Sequence, residues 1–197
     1  LAKVVSLAAA EELTGLEFCT GIPGSVGGAV RMNAGAYGTE IKDVVSTVSV
    51  MDSRGNKKVL QRDEIVFTYR QSNLPADVII CGARFNLQKG NGAQIKERMA
   101  EIMKWRQEKH PLQYPNAGSV FKNLPGMPAG KLIEELGLKG VRRGDVQVSK
   151  MHANFIVNKG QGTASDMITL ITFIQEKVKK EKNVQLETEI VIIGESL

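Results

Sequence analysis

The sequence predicts an α+β fold, and three observations carry that expectation. Strand-like segments with period-two alternation and helical segments with 3.6-residue periodicity are mixed without regular βαβ alternation. Apolar residues make up 42% of the 197 residues and charged residues 24%, an ordinary globular balance with enough apolar side chains for a sizeable core. No apolar run is long enough to span a bilayer, so no membrane partner is expected.

The elements follow in order. LAKVVSLAAAEEL at the start reads as a helix already under way, as in a fragment that begins inside a domain. Asp43 to Leu60 reads as a hairpin: Val44, Val48 and Val50 alternate with polar neighbours before the turn cluster Asp52-Ser53-Arg54-Gly55-Asn56. Val78 to Leu87 reads as a buried strand. Ala93 to Lys109 has helical spacing, with Ile95, Met99, Ile102 and Met103 on one face. Pro111 ends that helix, because the residue before a proline is pushed out of the helical region. A domain boundary is placed there, giving domains 1–109 and 110–197. Lys131 to Leu136 reads as a short helix with Gly137 at its left-handed C-terminal position. Val146 to Val148 and Ala153 to Val157 read as strands. Thr163 and Asp166 form a capping-box pattern for a helix from Ala164 to about Glu181. A last strand is expected over about 186–193.

The two cysteines, Cys19 and Cys81, fit no metal or disulfide spacing and read as buried free thiols. No metal site is expected, and a reducing cytoplasm is the simplest compartment. The formal net charge of +5 permits a nucleic-acid partner. The basic residues are dispersed, however, and aromatics are only 5%, which leaves few platforms for bases. No nucleic-acid partner is expected, and a small anionic ligand accounts for the charge equally well.

Thr20 to Gly38, TGIPGSVGGAVRMNAGAYG, holds six of the 20 glycines and no acid. Unobstructed N–H groups in such a segment form a concave anion site, so it reads either as a cradle for a phosphorylated ligand or as tight turns between strands. It matches neither G-x-G-x-x-G nor the G-K-[ST] loop. Three further motifs stand out. Arg70 in YRQS is either a fork of donors for carboxylate or phosphate or a surface ion-pair partner. Ser119 in NAGSVFKN is a turn hydroxyl or a placed proton donor, and no nucleophile elbow surrounds it. Glu189 in LETEIV either lines a cleft or ends an exposed strand.

Together GIPGSVGGAVRMNAGAYG, YRQS, NAGSVFKN, MHANFIVNKGQGTASD and LETEIVIIG, in that order, resemble the UDP-N-acetylenolpyruvoylglucosamine reductases, the MurB family. The resemblance covers the chain from Thr14 onward. It implies the remaining part of a vanillyl-alcohol-oxidase-type FAD-binding domain over 1–109 and an α+β substrate domain over 110–197. It also implies a bacterial, cytoplasmic and monomeric enzyme of peptidoglycan precursor synthesis. The implied reaction reduces UDP-N-acetylglucosamine enolpyruvate to UDP-N-acetylmuramate, with FAD as cofactor and NADPH as co-substrate. The implied catalytic residues are Arg70 and Glu189, which stabilise developing negative charge, and Ser119, which gives a proton to C2; Glu187 is the lesser candidate beside Glu189. The implied cofactor neighbours are Gly21, Ile22, Pro23, Gly24, Ser25, Gly27, Gly28, Asn33, Gly35, Ala36 and Tyr37. Lys122 and Asn123 would face the substrate.

The chain resembles the shorter type, without a tyrosine-loop insertion. Family members begin with a further portion carrying a second loop for the FAD pyrophosphate, which nothing in Leu1 to Leu13 matches. The chain is therefore expected to bind FAD weakly or not at all. The competing reading is a noncatalytic nucleotide-sugar-binding fragment.

Overall fold

The computed structural model describes residues 1–194. The chain divides into two compact units, Leu1–Arg106 and Gln107–Leu197. The helix Ala2–Ala10 (α1) opens the first unit. A three-stranded antiparallel sheet follows. Its central strand, Val45–Met51 (β1), pairs with Lys57–Gln61 (β2) on one side and Ile79–Phe85 (β3) on the other. The β1–β2 hairpin turns where the sequence predicts. Asp52 Oδ1 accepts from the N–H groups of Arg54 and Asn56, and Gly55 takes φ +85°. Val45, Val48 and Val50 turn inward to join Val5, Leu16, Phe18, Val30 and Ile41 in the core.

β3 corrects two expectations. It is an edge strand with one face outward, so Ile79 is 61% exposed rather than buried. Cys81 sits two residues on along the same face and is exposed, whereas Cys19 is buried in the core. The run Val78-Ile79-Ile80 looks buried in sequence because contiguity does not reveal which sheet face is covered.

The glycine-rich segment contains a short helix, Val26–Arg31 (α2), where the sequence suggested a cradle or tight turns. Ser25 caps it by accepting from Gly28 N at 3.0 Å. α2 lies on β3 at Gly27, where a Cβ would meet Ile80 Cβ and Ile80 O at 3.4 Å, an ordinary contact distance. Gly92–Lys109 (α3) buries Ile95 and Ile102, while Met103 of the predicted face is 36% exposed.

The second unit is a four-stranded antiparallel sheet. Asn116–Ser119 (β4) pairs with Phe155–Asn158 (β7), which pairs with Val146–Val148 (β6), which pairs with Arg142–Arg143 (β5). The helices Ala129–Glu135 (α4) and Ala164–Lys182 (α5) complete it. Leu132, Ile133, Val148, Ile156, Leu170, Ile174 and Val178 fill its core with Phe121 and Leu186. Both helix signals appear as read. Thr163 and Asp166 form the reciprocal capping box. Gly137 takes φ +67°, with its N–H on Glu134 O and Leu138 N–H on Ile133 O, closing a Schellman motif.

The expected last strand over 186–193 reduces to one bridge, Thr188 to Phe121. The chain bends at Glu189 and Ile190, and Val191 and Ile193 are 75% and 89% exposed. Alternation along the segment therefore does not assign Glu189 to an apolar face.

Replacing Gly137 by Ala should cost roughly 1–2 kcal/mol, because a Cβ is disfavoured in the left-handed region. Replacing the fully buried Ile174 by Ala should cost roughly 2–5 kcal/mol through loss of packing. Urea unfolding checks both. Equal midpoints for wild type and Gly137→Ala would remove the Schellman closure from the account.

Candidate functional site

Within the first unit, Asn33 organises the glycine-rich segment. It is fully buried with φ +42°. Its Nδ2 donates to Glu40 Oε2 at 2.9 Å and to Thr68 O at 3.0 Å, and its Oδ1 accepts from Lys42 N at 3.0 Å. One amide thus ties the segment to two small hairpins. The first pairs Gly35–Ala36 with Thr39–Glu40 around Tyr37 and Gly38, both at positive φ, the geometry of a tight primed turn. Gly35 tolerates no side chain, since a Cβ would lie 2.7 Å from Glu40 Cγ and 3.0 Å from Thr39 O.

The second hairpin pairs Phe67–Thr68 with Gln71–Ser72 and turns at Tyr69-Arg70. Arg70 takes φ +57°, a conformation usually left to glycine, and such strain concentrates at functional sites. Its Nη2 donates to Gly35 O at 3.0 Å. Arg70, Gly35, Ala36 and Gly38 line one recess of about 480 Å³ with Lys42 and Tyr69. The structure therefore brings the YRQS arginine onto the end of the glycine segment.

Arg31, the segment's one base, bonds instead to the carbonyls of Leu74, Pro75 and Val78, and Ser72 Oγ donates to Arg31 O. At the segment's head, Gly21 and Gly24 take φ +74° and +107°, and the face of Gly24 is open. Ile22 is half-buried, and Pro23, Gly24, Ser25 and Gly28 are exposed. Open glycine faces let a ligand rich in acceptor oxygens approach the backbone closely.

Within the second unit, the buried Asn154 builds the other loop. Its Oδ1 accepts from Phe121 N at 3.0 Å and its Nδ2 donates to Phe121 O at 2.8 Å, while its own carbonyl accepts from Val120 N. The amide substitutes for a strand partner just beyond β4. Gly118 turns with φ +80°, and Asn116 Oδ1 accepts its N–H. Ser119 thereby faces a cavity of about 260 Å³ shared with Asn123, Lys131, Glu134, His152 and Asn154. Asn123 Oδ1 accepts from Ala129 N at the start of α4.

Two backbone bonds lay the LETEI segment beside NAGSVFKN: Lys122 N to Glu187 O at 2.9 Å and Glu189 N to Val120 O at 2.8 Å. Glu189 is half-buried next to the Ser119 loop. Glu187 is outward and paired with Lys122 at 3.2 Å.

His152 and Asn154 stand within MHANFIVN, where no diagnostic spacing marks a role for either. The cavity shows what they do. Burial lowers the pKa of His152, and its Nδ1 accepts from Asn154 N, which fixes a neutral ring packed on Phe155. Among the described residues no cluster of His, Cys, Asp or Glu suits a metal ion.

The family model for "UDP-N-acetylenolpyruvoylglucosamine reductase, C-terminal domain" matches residues 110–193, and that for "FAD binding domain" matches residues 1–60. A solved structure of the MurB reductase from Thermus caldophilus superposes with a TM-score of 0.83 at 41% identity, covering 95% of this chain and 67% of that one. The chain belongs to the MurB family. A MurB reductase of Syntrophus aciditrophicus is 51% identical and one of Caldanaerobacter subterraneus 48% identical, each over 99% of this chain. The chain spans 62% and 65% of the length of those two relatives.

Asn154→Ala should leave both polar groups of Phe121 unpaired and cost roughly 2–4 kcal/mol, read by urea unfolding. Asn154→Ala as stable as wild type would refute the clamp. The histidine gives a pH signature. Its folded pKa lies below 6.5, so the unfolded chain binds more protons as pH falls below 6.5. Stability contributed by the neutral ring is present above that value and declines through the window beneath it. His152→Phe should flatten the acid limb of the unfolding midpoint; an unchanged limb would remove His152 from the account.

Proposed function

We propose that the chain carries the catalytic residues of a UDP-N-acetylenolpyruvoylglucosamine reductase, acting with FAD and NADPH on the enolpyruvyl sugar nucleotide. One observation supports it most directly. The Glu189 N–H bonded to Val120 O sets the Glu189 segment against the Ser119 loop, while Glu187 is engaged by Lys122. The bound flavin supplies hydride that originates on NADPH.

This chain's residues act on the substrate. Hydride arrival at C3 of the enolpyruvyl group places negative charge on C2 and its carboxylate. The Arg70 guanidinium is fixed in a strained turn and offers a preorganised cation for that charge. Ser119 carries a hydroxyl on a loop held by Asn154 and in this reading gives its proton to C2. Glu189 takes part beside it, stabilising the developing charge. Lys122 and Asn123 stand on the substrate side of the same loop. The glycine-rich segment holds the flavin through its backbone and the residues Gly21 to Gly28 and Asn33 to Tyr37. Relatives with this chemistry belong to bacteria, and peptidoglycan precursor synthesis is the proposed setting.

The test uses a polypeptide extended to the length of the curated relatives. Wild type should purify yellow with bound FAD. Ser119→Ala should be reduced by NADPH at the wild-type rate, yet be reoxidised by the enolpyruvyl substrate about 10²–10⁴-fold more slowly. A colourless protein that cannot be reconstituted with FAD overturns the reductase reading. Equal loss in both half-reactions overturns the role of Ser119.

A further inference from the structure

The arginine of the Tyr69-Arg70 turn is supported along two paths, and both lead back to one side chain, Glu40. Glu40 pairs with Gly35 across the first small hairpin. Its stem lies against that glycine: a Cβ on Gly35 would stand 2.7 Å from Glu40 Cγ and 3.3 Å from Glu40 Cα. Gly35 O in turn accepts from Arg70 Nη2 at 3.0 Å. The second path runs through Asn33. Glu40 Oε2 accepts from Asn33 Nδ2 at 2.9 Å, and the same Nδ2 donates to Thr68 O at 3.0 Å. Thr68 pairs with Gln71 and so closes the turn that carries Arg70.

Glu40 is itself fixed. Its carboxylate accepts from Asn33 Nδ2, from Lys42 Nζ at 2.6 Å and from the N–H of Asp43, while Asp43 Oδ2 accepts from Glu40 N. Its side chain is 19% exposed. Donors converge on both of its oxygens, which suits a carboxylate. Glutamine has one acceptor oxygen and would set its NH2 against a donor whichever way it turned. Arg70 needs such support. Its stem is long and rich in rotamers, and its backbone at φ +57° keeps that conformation only while its surroundings hold it. A cation aimed at developing charge must also be placed closely, since a shift of about 1 Å can cost roughly 10²-fold in rate.

We propose that Glu40 is a positioning residue for Arg70. Through Gly35, and through Asn33 and Thr68, it fixes the guanidinium in the recess that both residues line. It acts by way of those contacts and not on the reacting atoms. The proposal rests on the reading in which Arg70 stabilises charge during reduction of the enolpyruvyl group.

The experiment uses the polypeptide extended to the length of the curated relatives, as wild type, Glu40→Gln, Arg70→Ala and the double variant. Each is loaded with FAD and reduced with dithionite. Reoxidation by saturating enolpyruvyl substrate is then followed per bound flavin. Arg70→Ala should slow it about 10²–10³-fold, the usual loss when one preorganised donor to developing charge is removed. Glu40→Gln should slow it about tenfold or more when Arg70 is present and should add nothing when Arg70 is already alanine. A general structural role would slow both backgrounds alike. Equal factors in the two backgrounds, or a Glu40→Gln rate equal to wild type, overturn the positioning role. Glu40→Asp keeps the charge on a shorter stem and takes the same cycle where Glu40→Gln loses its flavin. Loss of flavin by both variants also overturns the proposal, because Glu40 would then be needed to form the site and not to aim Arg70. A wild-type rate for Arg70→Ala sinks the reading of Arg70 and the proposal with it. A slow Arg70→Ala with an additive cycle sinks the proposal alone.

Discussion

The bonds of Asn154 to Phe121 are the interaction on which the second unit's site depends. β4 ends at Ser119, and the next residues leave the ladder. Their backbone groups are buried and need partners. A side-chain amide carries the same donor and acceptor pair as a peptide group, so Asn154 can extend the ladder at the position where the chain turns away. Leucine of similar volume would fill the space and leave both groups of Phe121 unpaired. The geometry of the Ser119 loop, the pairing of Thr188 with Phe121 and the placement of Glu189 beside Val120 all follow from that satisfied turn.

Asn33 solves the same problem in the first unit. The glycine-rich segment has little side-chain surface of its own to pack, and glycine loses much conformational entropy on folding. Order must come from polar bonds made elsewhere. A single fully buried amide bonded to Glu40, Thr68 and Lys42 supplies it, and Arg31 adds three carbonyl bonds to the 74–78 loop. The segment is thereby held without bulky side chains, which keeps the faces of Gly24 and Gly38 open.

Polar groups in this protein thus fall into two sets. Asn33, Asn154 and Arg31 are spent on the backbone and account for local shape. Thr20 Oγ1 and Arg106 Nε are buried and unspent, although comparable buried groups nearby are satisfied. Within the first unit, Thr20 shares the glycine-rich segment with Arg31 and Asn33, while Arg106 lies on α3. That makes the unpaired set a local exception rather than a general looseness of packing.

The sequence by itself determined the α+β class, the hairpin around Asp52 to Asn56, and the ends of the two helices of the second unit at Thr163 and Gly137. These are decided by short-range chemistry: turn residues, caps and apolar periodicity. The motif order also sufficed to place the chain in its family, since each motif stands as written along the chain. Only the tertiary structure decided that Ile79 and Cys81 lie on the open face of an edge strand. It also decided that the 186–193 segment makes one bridge and then bends, and that Arg70 meets Gly35 across a strained turn. The roles of Asn33 and Asn154 belong to the same group. Their partners lie between seven and thirty-five residues away for Asn33, and thirty-three residues away for Asn154. No local pattern marks a side chain that satisfies a distant backbone, because the requirement exists only once the chain has folded and excluded water from it.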